Sequence, residues 1–126
     1  MITADQLLAH AVGDYLLQSD WMATQKTKQT AAALVHVSTY MLPFMFLGAS
    51  VSALIAIVAS HFVIDRWRLA RYVVWFKNEM GPNPPWRDCT ATGYPPDRPP
   101  WMTVWLLIIA DNILHVICNG LALRYL

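Results

Sequence analysis

The sequence predicts an all-α fold: an integral membrane bundle of three to four helices, with a long proline-rich loop before the last one. Three observations carry this. No Asp, Glu, Lys or Arg occurs from Gln29 to Ile64, a run of 36 residues. Between Pro99 and Leu123 the only such residue is Asp111. A transmembrane helix needs about 20 mostly apolar residues, so the first run has room for two spans and the second for one. Charged residues make up 13% of the chain and hydrophobic ones 56%; the charged share is about half that of an ordinary soluble domain.

Taken in order, the elements fall within a single membrane domain over 1–126. Helix one covers about 4–19, with Thr3 as its N-cap and Gln6 three residues on. A polar connector with Lys26 and Lys28 follows. Helix two covers about 30–47 and is bent by Pro43. Gly48-Ala49-Ser50 is the only break in the uncharged run, so it predicts a tight turn. Helix three covers about 51–76, its second half an interfacial segment rich in Arg and Trp. The loop 78–100 holds seven of the eight prolines and cannot be a regular element. Helix four covers about 100–123. Helix one is short and carries two titratable groups, which leaves three or four crossings open.

The basic residues set the orientation. Lys26 and Lys28 lie in the first connector; Arg66, Arg68, Arg71, Lys77, Arg87 and Arg98 lie in or beside the third. The positive-inside rule places both on the cytoplasmic side of the inner membrane. No basic region precedes the first apolar stretch, so no cleavable signal is expected. A net charge of +1, with no basic stripe interleaved with aromatics, excludes a nucleic-acid partner. Cys89 and Cys118 sit in unlike settings and read as free thiols.

The chemistry lies in the histidines. Three of the four have an aspartate four residues away: His10/Asp14, His61/Asp65 and Asp111/His115. Shuffling this composition gives three such pairs in about one chain in a hundred. An i, i+4 pair shares one helix face. His10-Asp14-Gln18 is echoed by Asp111-His115-Asn119. Measured along each helix at about 1.5 Å per residue, Asp14, His36, His61, Asp65 and Asp111 all fall in the cytoplasmic half of the membrane. His115 lies deepest.

Each charge in hydrocarbon costs about 2.5–3.5 kcal/mol on insertion scales, so something must compensate these groups. His–Asp pairing does part of it. A divalent cation does more, because it neutralises carboxylates and takes the imidazole lone pairs. His10, Asp14, His36, His61, Asp65, Asp111 and His115 are the candidate ligands. They are enough for two ions, or for one ion with carboxylates orienting the histidines. Mixed N/O ligands suit Zn²⁺, Mn²⁺ or Fe²⁺ better than Mg²⁺.

The ordered set "LLAHAVGDYLLQSDWMATQK", "LVHVSTY", "HFVIDRWR" and "DNILH" resembles a family of small bacterial and phage membrane proteins, the domain of unknown function 3307, over nearly the whole chain. That family implies no activity. The His/Asp pattern is more loosely similar to that of membrane-bound metal-dependent hydrolases.

The expected function is a metal-dependent hydrolase acting on a membrane lipid or lipid-linked phosphate ester. Asp14 and His36 would serve the chemistry, His36 as ligand or general base. Gln18 or Asn119 would orient water or substrate. Arg66, Arg68 and Arg98 would hold a phosphate, and the loop carrying Trp86, Tyr94 and Arg98 would act as a lid. Two alternatives stand beside it. One is an ion or proton transport module, which would need to form a homo-oligomer. The other is a non-catalytic membrane protein with a structural metal that binds a host membrane partner.

Overall fold

The computed structural model describes residues 2–82 and 84–126; Met1 and Asn83, which the expected domain and loop include, lie outside the described residues. The fold is all-α, with no strand among the described residues. Two units divide the chain. The first holds residues 1–67 and 115–126, the second 68–114.

In the first unit, α1 (Ala4–Ala11) starts at Thr3, whose hydroxyl accepts the Gln6 amide at 3.2 Å. Gln6 does not reach back to complete a capping box. Its side-chain amide donates to the Val116 carbonyl at 2.7 Å, tying α1 to the last helix. From Val12 to Leu16 the helix widens into a π turn, in which the Leu17 amide donates to Val12, five residues back. Helix one is therefore not one continuous α-helix to residue 19. Ser19 caps a separate α2 (Asp20–Gln25), accepting the Met22 amide, where a connector had been expected.

α3 (Thr30–Phe46) and α4 (Val51–Trp67) are joined by a tight turn. Gly48 takes φ 75°, a left-handed conformation that costs other residues about 1 kcal/mol or more. Its amide reaches Met45 while that of Ala49 reaches Phe44, so the last carbonyls of α3 are satisfied. Ser50 caps α4 through the Ala53 amide, and Ser50 and Ser52 both donate to the Leu126 carbonyl. Tyr40, Phe44, Ala53, Ile57, Ala9 and Ala122 form the apolar core at this end.

Helix three does not continue to residue 76. Arg68 adopts φ 53°, and a left-handed residue ends an α-helix because it redirects the chain. The second unit begins there. In it, α5 (Ala70–Asn78) packs on the proline-rich segment: Tyr72 stacks on Trp86 at 4.7 Å, Trp75 meets Trp86 edge-on, and Arg71 donates to the Thr90 carbonyl at 2.8 Å. The segment expected to lack regular structure contains one helical turn, α6 (Trp86–Cys89). Gly93, at φ 82°, lies so close to the Arg71 carbonyl that a Cβ would collide with it. Cys89 is buried, and that burial, with the Asp88 carboxylate second, pushes its thiol above the ordinary value. In a Cys118→Ser background, Cys89 should therefore resist alkylation at neutral pH and react fully once denatured; rapid labelling of the folded protein would contradict this.

A π turn (Trp101–Leu106) leads into α7 (Leu107–Tyr125), whose residues from His115 belong to the first unit. Trp101–Tyr125 is 25 residues long, and is the one helix among the described residues long and apolar enough to cross a membrane. The expected three to four spans are not all of that kind. α3 and α4 have 17 residues each, about 25 Å, which falls short of a hydrocarbon core of about 30 Å.

Candidate metal centre

α3, α4 and the part of α7 that belongs to the first unit, with the π turn that follows α1, bring polar side chains to one buried point. His36 projects from α3 and His61 from α4, both fully buried, with their Nε2 atoms 2.9 Å apart. Asp14, on the π turn, brings Oδ1 to 3.3 Å from His36 Nε2 and 3.4 Å from His61 Nε2. Asp65, one turn after His61, brings Oδ2 to 3.1 Å and 3.0 Å from the same two nitrogens. His115, from α7, packs its ring against His61 at 45° with centroids 4.0 Å apart, and its Nε2 lies 3.8 Å from Asp65 Oδ1.

Five of the six distances among these four lone-pair atoms are 2.9–3.4 Å. Edges of that length fit a centre about 2 Å from each atom, the span of Zn–N and Zn–O bonds. The donor set matches too: two imidazoles and two carboxylates, each offering one atom. Within the first unit two overlapping groups, His36–His61–Asp65 and Asp14–His61–His115, could hold a metal ion, with His61 common to both.

Around this cluster is a hydrogen-bonded support. Asn119 donates to the Tyr40 hydroxyl at 2.6 Å, and that hydroxyl lies 2.8 Å from His10 Nδ1. A phenol that accepts from Asn119 is free to donate to His10. His10 Nδ1 is also 3.4 Å from Asp14 Oδ2, and its ring stacks on His115. His10 therefore faces Tyr40 and Asp14 beside the four converging atoms. Gly13 sits directly against the Tyr40 ring.

Lys26 closes the cluster from the α2–α3 connector. Its ammonium lies 2.8 Å from Asp65 Oδ2 and 3.4 Å from His36 Nε2. Arg66 pins that connector by donating to the Thr27 carbonyl at 2.6 Å and the Lys28 carbonyl at 3.3 Å.

The residues anticipated from sequence are distributed accordingly. Asp14, His36, His61, Asp65 and His115 meet at the cluster, with His10 at its edge. Asp111 lies on α7 one turn before His115, half-buried, in the second unit. Gln18 is half-buried just past the π turn, and its side-chain oxygen accepts no hydrogen bond from the described residues. Arg66 is committed to backbone carbonyls, Arg68 is exposed, and Arg98 pairs with its exposed neighbour Asp97. Sequence reasoning missed Tyr40 and gave Lys26 only a topological role. The spacing of Tyr40, four residues after His36, repeats that of the His/Asp pairs and was the available signal.

An all-α chain with a buried histidine–aspartate cluster drawn from three helices defines a structural class without a reaction attached. Within it, this chain belongs to the family of proteins of unknown function DUF3307, whose model matches residues 2–122. No curated protein and no solved structure matches the chain.

Proposed function

We propose that the chain is an integral membrane protein whose cluster binds a divalent cation and serves a metal-dependent hydrolase reaction on a lipid or phosphate ester. The convergence of His36 Nε2, His61 Nε2, Asp14 Oδ1 and Asp65 Oδ2 carries this reading. Among the described residues, Lys26 is the lysine or arginine paired with this cluster, and it is paired with Asp65. Uncompensated buried charge costs several kcal/mol, so a binding role explains why the fold assembles them.

In this reading His36, His61, Asp14 and Asp65 hold the ion, with His115 reaching it from the other group. A bound divalent cation lowers the pKa of a coordinated water towards about 7 and polarises the scissile group. Asn119 and Tyr40 fix the His10 ring beside Asp14. The unengaged Gln18 oxygen is available to orient a polar group at the edge of the site.

Membrane insertion is supported by what the helices expose. Phe46, Val51, Ile55, Trp105, Ile109, Ile113 and Leu121 are all at least half exposed, a density of apolar surface that water does not favour. On this reading α3 and α4 span with thinning of the bilayer or flanking interfacial residues making up their length. The positive-inside rule keeps Lys26 and Arg66 on the cytoplasmic side of the inner membrane.

A second reading has its own observation. Lys26 already supplies one cation, and the Nδ1 atoms of His36 and His61 accept or donate no hydrogen bond among the described residues, whereas metal-bound histidines ordinarily anchor that nitrogen. The cluster would then relay protons or hold the helices together without a metal. Elemental analysis of the detergent-purified full chain decides between the two. About one Zn, Mn or Fe per chain, with metal-dependent cleavage of a generic phosphodiester or ester, is expected. Undetectable metal after growth in metal-replete medium would transfer the case to the second reading.

A further inference from the structure

We infer that Lys26 is the anion-recognising residue of the centre, and that the ligand it selects carries a phosphate group. This rests on the metal-dependent reading above and names the substrate class for that site. The sequence pointed instead to Arg66, Arg68 and Arg98. Arg66 is spent on the Thr27 and Lys28 carbonyls, Arg68 is exposed, and Arg98 is exposed in the second unit. Lys28 and Arg124, the remaining basic residues of the first unit, are exposed as well. Lys26 is the cation that reaches the cluster, with its side chain 16% exposed.

The charge balance gives the chemistry. In the first unit's cluster two carboxylates and one ammonium, with neutral imidazoles, leave one net negative charge; a divalent cation turns that into one net positive charge. A neutral ester does not balance it, whereas an anion does. The geometry gives the same result. Asp65 Oδ2, the atom holding Lys26 at 2.8 Å, is also the oxygen nearest His36 and His61. An ammonium that must share this oxygen with a divalent ion is left under-neutralised beside it. Lys is a point-charge phosphate binder with three donors and a flexible stem, suited to that position. The connector that carries it cannot drift away, because Arg66 holds its backbone on the C-terminal side.

The test uses the full chain in detergent, loaded with Mn²⁺. Inorganic phosphate is titrated in one arm and mixed micelles containing a phosphomonoester lipid, phosphatidic acid, in the other. Binding in the first arm indicates a free phosphate group, and binding in the second alone indicates a lipid headgroup; either supports the assignment if it depends on Lys26. Lys26→Met and Lys26→Gln should weaken binding about tenfold or more while keeping Mn²⁺ as tightly as before or tighter, and Lys26→Arg should restore it to within about threefold. Equal phosphate binding by Mn²⁺-loaded Lys26→Met overturns the assignment and leaves the functional reading standing, as does a loaded unmutated protein that binds neither probe. Loss of Mn²⁺ by both neutral variants, with Lys26→Arg retaining it, also overturns it, since Lys26 would then belong to the cage. No Mn²⁺ on the unmutated chain defeats the functional reading and this inference together.

Discussion

His61→Ala is expected to lower divalent-metal affinity by at least about a hundredfold and to abolish the thermal stabilisation that metal gives the unmutated protein. Loss of an outer partner of a metal ligand costs about 10–100-fold in affinity, and His61 is more than that. Its Nε2 is 2.9 Å from that of His36, 3.0 Å from Asp65 and 3.4 Å from Asp14. It also belongs to both of the first unit's groups that could hold an ion. His10→Ala should be milder, about tenfold, because its Nδ1 faces Tyr40 and its ring stands beside Asp14 rather than among the converging atoms. Truncation of His61 has a packing cost as well. The ring is fully buried, 3.7 Å from Tyr40 and 4.0 Å from His115, and a cavity of that kind costs about 2–4 kcal/mol. The two contributions separate cleanly. Unfolding measured with chelator reports packing alone, and unfolding at metal equal to about 100 Kd adds about 2.7 kcal/mol in a protein that binds it. A variant that keeps its metal-dependent shift would place the ion somewhere other than between α3 and α4.

The sequence disclosed the site more completely than it disclosed the elements that build it, and the reason is physical. Three His/Asp pairs at i, i+4 are visible because one face of a helix is a local property. So is the prohibition on charge from Gln29 to Ile64. The π turn at Val12–Leu16 is not local in this sense. One extra residue in a turn shifts the later helix face by about 100°, but only Leu17 and Gln18 follow before Ser19 starts a new helix, too few to register the shift. The end of α4 was hidden likewise, because "DRWRLARY" has good helix formers throughout and Arg68 takes a conformation that its side chain does not favour. Lys26 was legible as a basic residue in a connector, which is where topology alone would put it. That its ammonium turns inward to Asp65 depends on Arg66 clasping the connector from 38–39 residues away. Tyr40 was hidden by its own amphipathic character, since a buried phenol reads as core until its hydroxyl is seen between Asn119 and His10.

Gly13→Ala tests whether the π turn positions the centre. A Cβ at residue 13 would collide with Tyr40 Cδ2 and lie 2.9 Å from Cε2. Alanine is intrinsically better than glycine in a helix by about 0.5–1 kcal/mol, so in open space the substitution would stabilise. Here the clash wins. The Tyr40 ring is fully buried, its hydroxyl is held by Asn119 at 2.6 Å and by His10 at 2.8 Å, and its faces meet His61 and Phe44. Neither partner can swing away, and overpacking of that kind costs about 1–3 kcal/mol. The site should suffer with the fold: displacing residue 13 moves Asp14, so metal affinity is expected to fall by about tenfold. Gly48→Ala is the control, because φ 75° gives it about 1 kcal/mol of backbone strain but nothing lies within 4 Å of its Cβ. It should lose some stability and keep its metal. Tyr40→Leu added to Gly13→Ala makes room for the new methyl, so the pair should be less destabilised than the sum of the two changes. Thermal unfolding in detergent beside metal content measures all of this. A Gly13→Ala protein as stable and as fully loaded as the unmutated one would mean that the close approach of the π turn to Tyr40 is incidental to the centre.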